Sequence, residues 1–257
     1  MARYISFDPT ADYSGNTAST TLYLPLDSNT NDATSTVTVT ANGNAATQTT
    51  TKKMGAGALQ LDGNGDYLQL PQGTLPSGSS SFTVEGWGYT TGSGDQDIIT
   101  NAHNGDGNRT FVFMHRSDPT FLCIFREADG TQRELQITGS PGGWSTNAWY
   151  HFAITLDGSS NLRVFINGTV AGTLANFDNG LKAETGTLRI GARTSTSNEY
   201  TGFLDDIRIL DGVCSYTTAF TPPTAALGVG VAGPGYSSIF DLRRQYTERK
   251  ADNWPTV

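Results

Sequence analysis

The chain is poor in cysteine, in charge and in long apolar runs. Cysteine occurs twice in 257 residues, at Cys123 and Cys214. Two are too few for a disulfide framework, and they do not fix a redox compartment. Cys123, inside TFLCIF, alternates as a buried thiol does. Charged residues make up 16% of the chain, 24 acidic against 16 basic, for a net charge of -8. That balance argues against a nucleic-acid-binding surface, which needs clustered Lys and Arg to neutralise phosphates. No apolar stretch approaches the roughly 20 residues that cross a bilayer, so no membrane partner is expected. The opening MARYISFDPTADYSG lacks the apolar core of a secretory signal, so Sec export is not expected. Sustained helical periodicity is missing until the C-terminal segment, which removes the spacer that a βαβ unit needs.

What remains is rich in Gly, Ser, Thr and Asn and in short alternating runs. TTLYLPLD, STVTVTAN, ALQLDGNGDYLQL, SFTVEGWGYTT, DIIT and TFVFMHRSD read as strands bounded by turn residues. Phe111, Phe113 and His115 fall on one face. TFLCIFREADGTQRELQI is a hairpin turning at Asp129-Gly130, and NLRVFINGTVAGT is another turning at Asn167-Gly168. In AWYHFAITLD, Tyr150, Phe152, Ile154 and Leu156 share a face. GTLRIGAR and GFLDDIRIL close the series. So many short strands and hairpins predict an all-β, antiparallel two-sheet sandwich or jelly roll. In GFLDDIRIL, strict alternation puts Asp205 in an apolar row with Phe203, Ile207 and Ile209. A carboxylate there must find a cation, backbone N–H donors or water.

LQLDGNGDYLQL, FTVEGWGYTT, NAWYHFAITLDGSSNLRVFINGTVAGT, LRIGAR and YTGFLDDIRILDG occur in this order, and the set resembles the concanavalin A-like jelly roll, in its laminin G-like branch. The ending DDIRILDGVCSYTTAFTPPTA resembles the variant found in bacteriophage virion proteins. The expected organisation is an N-terminal arm over 1–20, the jelly-roll domain over 21–225, a Gly/Ala/Pro linker over 226–236, and a C-terminal docking segment over 237–257, helical or extended. In that last segment Ile239, Phe240, Leu242, Tyr246 and Trp254 are the expected assembly anchor, and its pattern resembles terminal segments of phage structural proteins.

The resemblance implies a structural calcium held through Asp205. Asp62, Asp66 and Asp27 are further candidate ligands, with Asn64 and Asp32 nearby in sequence, because calcium takes six to eight oxygens. The competing reading is that Asp62 and Asp66 make Asx turns and that Asp205 accepts backbone N–H bonds. Trp87 and Trp149 match positions that pack inside the resembled fold. Trp144, in the loop SPGGWSTN, is a candidate stacking platform for a sugar ring or a loop staple. His103, Asn104 and Arg109, in NAHNGDGNRT, are candidate hydrogen-bond donors to glycan hydroxyls.

The resembled fold also hosts glucanases, whose retaining members need two carboxylates about 5–5.5 Å apart. The corresponding strand offers Glu85 alone, and the histidines show no metal-type spacing. The expected function is therefore a non-enzymatic virion protein of tail, fibre or capsid, assembled in the host cytoplasm. Its jelly roll would bind glycan or protein, its arms would bind other virion proteins, and it would form a homo-oligomer. A carbohydrate-binding module of a bacterial surface or secreted protein is the alternative, and a divergent glycoside hydrolase the second.

Overall fold

A computed structural model describes residues 20–78, 81–101, 109–117, 120–193 and 198–229. Among them lie fifteen strands and one short 3-10 turn, Pro141–Gly143. The eight-stranded sheet contains β1 (Thr20–Leu24), β3 (Ala46–Gln48), β4 (Ala58–Asp62), β6 (Phe82–Thr90), β11 (Tyr150–Leu156), β12 (Leu162–Ile166), β13 (Thr169–Leu174) and β15 (Thr201–Asp211). The seven-stranded sheet contains β2 (Thr40–Asn42), β5 (Tyr67–Leu70), β7 (Gln96–Thr100), β8 (Phe111–His115), β9 (Thr120–Arg126), β10 (Gln132–Thr138) and β14 (Leu188–Ile190). Their orders are β13-β12-β11-β6-β15-β4-β3, with β1 also on β15, and β10-β9-β8-β7-β14-β5-β2. All pairings are antiparallel. The all-β two-sheet sandwich expected from the alternation is the observed architecture.

The inner faces supply one continuous core. Phe111 and Phe113 face it from one sheet, and Tyr150, Phe152, Ile154 and Leu156 from the other, all within 1% of full burial. Burying such alternating apolar rows between two sheets is the main stabilising term of a sandwich. Both hairpins turn where expected: β9 and β10 meet at Asp129-Gly130, and β12 and β13 at Asn167-Gly168. At the second turn both central residues have positive φ, 49° and 73°, the geometry that favours Asn-Gly. DGNGD is a corner instead. It carries the chain from β4 in one sheet to β5 in the other, with Gly63 and Gly65 at φ 80° and 82°.

Two expectations about faces are corrected. Asp205 does not share the apolar row, because β15 has a bulge: Asp205 pairs with Trp87, but Arg208 pairs with Glu85, three steps on one strand against two on the other. Asp206 takes up the extra residue at φ 52°. Leu204, Ile207 and Ile209 therefore face the core, and Asp205, Asp206 and Arg208 are displaced from it. The tryptophans exchange environments. Trp149 precedes the inward Tyr150, is half-buried, and meets Tyr89 edge-on at 5.5 Å. Trp144 is turned inward after Pro141–Gly143 and is 4% exposed against His115, Phe121 and Tyr150. It staples its loop and presents no exposed ring for stacking.

After β15 the chain returns as a strap, residues 213–229, across the outer face of the eight-stranded sheet. Tyr216 and Phe220 stack at 3.6 Å and cover Ala153 and Phe165. Thr20 Oγ1 donates to the Val229 carbonyl at 2.6 Å. The expected domain boundary at 225 thus falls inside a packed segment.

Candidate functional site

The bulge in β15 gathers the buried acids of the eight-stranded sheet. Glu85 (β6), Asp205, Asp206 and Arg208 (β15) and His151 (β11) are all inaccessible to solvent. Arg208 Nη2 and Nε donate to Glu85 Oε1 at 2.6 and 3.1 Å, and Tyr216 Oη donates to Oε2 at 2.9 Å. His151 Nε2 lies 3.5 Å from Oε2. Burial works to raise the Glu85 pKa, but the charge of Arg208, with His151 beside it, outweighs burial and holds it at about 2. Arg208 Nη1 also donates to the Leu227 carbonyl at 3.1 Å.

Asp206 accepts Tyr23 Oη and the Leu227 N–H, both at 2.8 Å. Asp205 Oδ2 accepts the N–H groups of Lys53 and Met54, both at 2.8 Å, while Oδ1 is buried without a partner. Burial pushes both carboxyls up to about 6 against the pull of those donors. The acids thus clamp other segments onto the sheet: Asp205 holds the 53–54 loop and Asp206 the first strand and the strap against β15, and Glu85 holds the strap's Tyr216 against β6. Nothing in the cluster is open to a substrate.

The aspartates expected to share a calcium ion fall into two groups, Asp62 with Asp66 beside Asn44, and Asp205 with Asp27 around the 53–57 loop. Asp27 accepts the N–H groups of Ala56 and Gly57, and Asp205 holds the neighbouring residues 53–54. Asp66 accepts the N–H groups of Asn44 and Asp62 at 2.7 and 3.0 Å. Asp62, exposed, accepts the Asn64 N–H and Asn44 Nδ2. Asp32, buried, accepts the N–H groups of Tyr23, Thr34, Thr36 and Val37. Apart from Asp205 Oδ1, which is buried without a partner, these carboxylates are engaged by loop N–H groups and Asn44, and among the described residues no group of three or more His, Cys, Asp or Glu could hold a metal. The residues therefore do not fit a shared cation. Asn44, Ala46, Thr47, Gln60, Asp62 and Asp66 line a small polar recess of about 130 Å³.

The outer face of the seven-stranded sheet is buried in its middle, at Asp97, Thr100, Val112, Met114 and Ile124, and exposed in part at Tyr67, Arg189, Arg126 and along β10. Alternation turns Tyr67 and Gln69 (β5), Arg189 (β14), Thr100 and Asp97 (β7), Met114 and Val112 (β8), Ile124 and Arg126 (β9) and Gln132, Glu134 and Gln136 (β10) to that side. Arg193 grips Asp97 through Nε and Nη2 at 2.9 and 3.0 Å. Arg189 lies over the Tyr67 ring, 4.2 Å from its centre. Arg109, half-buried, acts electrostatically on Asp97 and so belongs to this face. Of the residues expected to meet glycan, Trp144 is in the core, and His103 and Asn104 lie outside the described residues, as do Ile239, Phe240, Leu242, Tyr246 and Trp254. Arg189 and Arg193, within LRIGAR, and Tyr67, within LQLDGNGDYLQL, carried no binding role in the sequence. Only strand pairing puts them side by side.

Residues 62–218 match the laminin G-like family described as the concanavalin A-like lectin/glucanases superfamily. Curated protein sequences give no match. Among solved structures, the binding domain of Paraclostridial Mosquitocidal Protein 1 superposes with a TM-score of 0.61 at 12% identity, covering 90% of this chain and 53% of that one. The botulinum neurotoxin serotype D binding domain gives 0.56 at 16%, covering 76% and 49%. The serotype D ligand binding domain in complex with N-acetylneuraminic acid gives 0.56 at 15%, covering 81% and 50%. The chain spans about half the length of these structures, and at such identities the likeness is one of fold. With the family match extending over most of the sandwich, the chain belongs to the concanavalin A-like lectin/glucanases superfamily.

Proposed function

We propose that this chain is a non-enzymatic, lectin-like module of a bacteriophage virion, carried on tail, fibre or capsid, whose sandwich contacts glycans on the host surface. The observation that carries the binding part is a division of labour among polar groups. Glu85, Asp205 and Asp206, the closely placed acids, are buried and bonded to the protein itself. The side chains that keep exposure on the outer side of the seven-stranded sheet include the amides of Gln69, Gln132 and Gln136, the guanidinium groups of Arg126 and Arg189, the Tyr67 ring and one carboxylate, Glu134; amides, guanidinium groups and a tyrosine ring bind hydroxyls and sugar faces without reacting with them. Retaining glycosidic hydrolysis needs two accessible carboxyls about 5–5.5 Å apart, and this cluster is closed by the strap. The description of similar folds as binding domains, one with N-acetylneuraminic acid, supports the same reading.

The virion part rests on the likeness of DDIRILDGVCSYTTAFTPPTA and of the C-terminal segment to phage structural proteins. In this reading residues 237–257 attach the module to other virion proteins through Ile239, Phe240, Leu242, Tyr246 and Trp254. Repetition in a homo-oligomer then turns weak single contacts into avidity. The test has two arms. Particles assembled with a chain lacking 237–257 are expected to lose the protein while the truncated chain stays folded; undiminished incorporation refutes the anchor. On a glycan array the intact chain is expected to retain a subset of glycans without shortening them; released reducing ends would identify a hydrolase.

A further inference from the structure

We propose that Trp149, Tyr89 and Phe203 form a stacking platform for an uncharged glycan chain on the outer face of the eight-stranded sheet. The inference rests on the reading of the chain as a glycan-binding module, and gives that glycan an aromatic site and a chemical class. Tyr150 pairs with Gly88, so Trp149, one residue earlier, comes beside Tyr89, which itself pairs with Phe203. Residues paired across antiparallel strands share a face, and here it is the outer one, because Tyr150 and Leu204 point into the core. Further along this face the strap covers Ala153 and Phe165, and Lys53 lies over Trp87. The aromatic row is not closed over. All three rings keep partial exposure, and they touch one another with no buried side chain between them.

The rings are held in place and bordered by groups that suit sugar hydroxyls. Tyr89 meets Trp149 and Phe203 edge-on, with ring centres 5.5 and 5.8 Å apart, and such contacts fix the ring planes. Rigid rings lose little conformational freedom on binding. Beyond Phe203 the same row continues to the exposed Gln60, which lines the recess of about 130 Å³ with Asn44 and Asp62. Beside the strip lie Thr201 and the exposed Thr91, whose N–H donates to the Thr201 carbonyl at 2.9 Å. Aromatic surface with amides and hydroxyls at its margin matches a pyranose, whose ring faces are apolar and whose rim is hydroxylated. Three carboxylates, Asp62, Asp66 and Glu199, stand towards the Gln60 end against one cation, Lys53, so an acidic glycan is repelled. A fully buried aromatic side chain contributes about 150–250 Å², and three partly exposed ones offer on the order of 200 Å² together. A stable protein interface needs about 800 Å² per partner, so a chain of small rings is the occupant that fits.

On a glycan array the intact chain is expected to retain uncharged glycans and to pass over their acidic counterparts. Variants are compared on the same array and by isothermal titration with maltohexaose, cellohexaose and mannohexaose, where salt should change affinity little. Trp149→Ala and Tyr89→Ala, checked for folding by circular dichroism, are each expected to weaken binding at least tenfold. Tyr89→Phe, which keeps the ring, should retain most of it. Val170→Ala, an apolar truncation on the exposed edge strand β13 of the same sheet, should leave it unchanged. Should the aromatic variants fail to fold, Gln60→Arg, at an exposed position beside the strip, supplies the second test, with the same direction of change. Undiminished binding by folded Trp149→Ala and Tyr89→Ala, or retention of acidic glycans only, refutes this inference and leaves the glycan-module reading standing. Retention of no glycan at all refutes both.

Discussion

Asp205 and Asp206 are joined by one peptide bond and clamp different parts of the chain. Their common property is a cost of ionisation: each is raised from 3.8 to about 6 by burial. Glu184, which accepts the Leu75 N–H at 2.8 Å, is raised from 4.5 to about 7, again chiefly by burial. A raised carboxyl pKa means that the folded chain holds a proton which the unfolded chain has released. Stability therefore grows as pH falls from about 7 towards 4. Glu85 has the opposite sign. Held at about 2 against an ordinary 4.5, it contributes stability above about 4.5 that is lost as pH falls towards 2. The melting temperature is expected to peak near pH 4–5 and to be lower at 7.5. Asp205→Asn keeps an acceptor for Lys53 and Met54, so it should raise the midpoint at pH 7.5 and flatten the slope. An unchanged slope in scanning calorimetry would refute this assignment.

The ion pair beneath the strap makes a second prediction at the same scale. Glu85→Gln leaves Arg208 buried with its charge uncompensated and is expected to cost about 3–5 kcal/mol in urea unfolding. The double change Glu85→Gln with Arg208→Met removes both charges and should recover most of that loss. Additive losses would mean that the two groups do not act as a pair.

At the scale of elements, hairpin and strap depend on each other. Gly168 at φ 73° forms the second half of the turn, and a Cβ there would meet the Phe220 carbonyl. The Phe220 N–H in turn donates to the Gly168 carbonyl at 2.9 Å. Gly168→Ala should cost about 2 kcal/mol or more and speed hydrogen exchange at Phe220; protection there equal to wild type would show that the strap is held elsewhere. The Asn167-Gly168 turn was legible because a two-residue turn depends on its own dipeptide. The split of DGNGD between two sheets was not, because a glycine-rich corner and a hairpin share the same local chemistry. In GFLDDIRIL, Ile207 and Ile209 face the core as alternation predicts, whereas Asp205 does not, for a related reason. A bulge adds one residue, invisible in composition, and reverses every side chain beyond it.

On the scale of the whole molecule, the strap decides where the folded unit ends. Stopping the chain after Gly212 removes Tyr216, Phe220 and Leu227, exposes Ala153 and Phe165, and strips Glu85 and Asp206 of partners. Such a chain is expected to be insoluble or to lose cooperative unfolding. A chain ending after Val229 should keep both solubility and cooperativity, and matching behaviour of the two truncations would contradict the structural role of the strap. By itself, the amino-acid sequence determined the fold class, the strand faces of Phe111 to His115 and of Tyr150 to Leu156, and the hairpin turns. Alternation and turn dipeptides are local properties, written within a few residues. Only the tertiary structure decided that the acids of β15 are clamps, that Trp144 is core while Trp149 is half-buried, and that Arg189 and Arg193 come to lie beside Tyr67 and Asp97. Those facts depend on which strands become neighbours, and strand neighbours are chosen by the burial of the whole core rather than by any short stretch of chain.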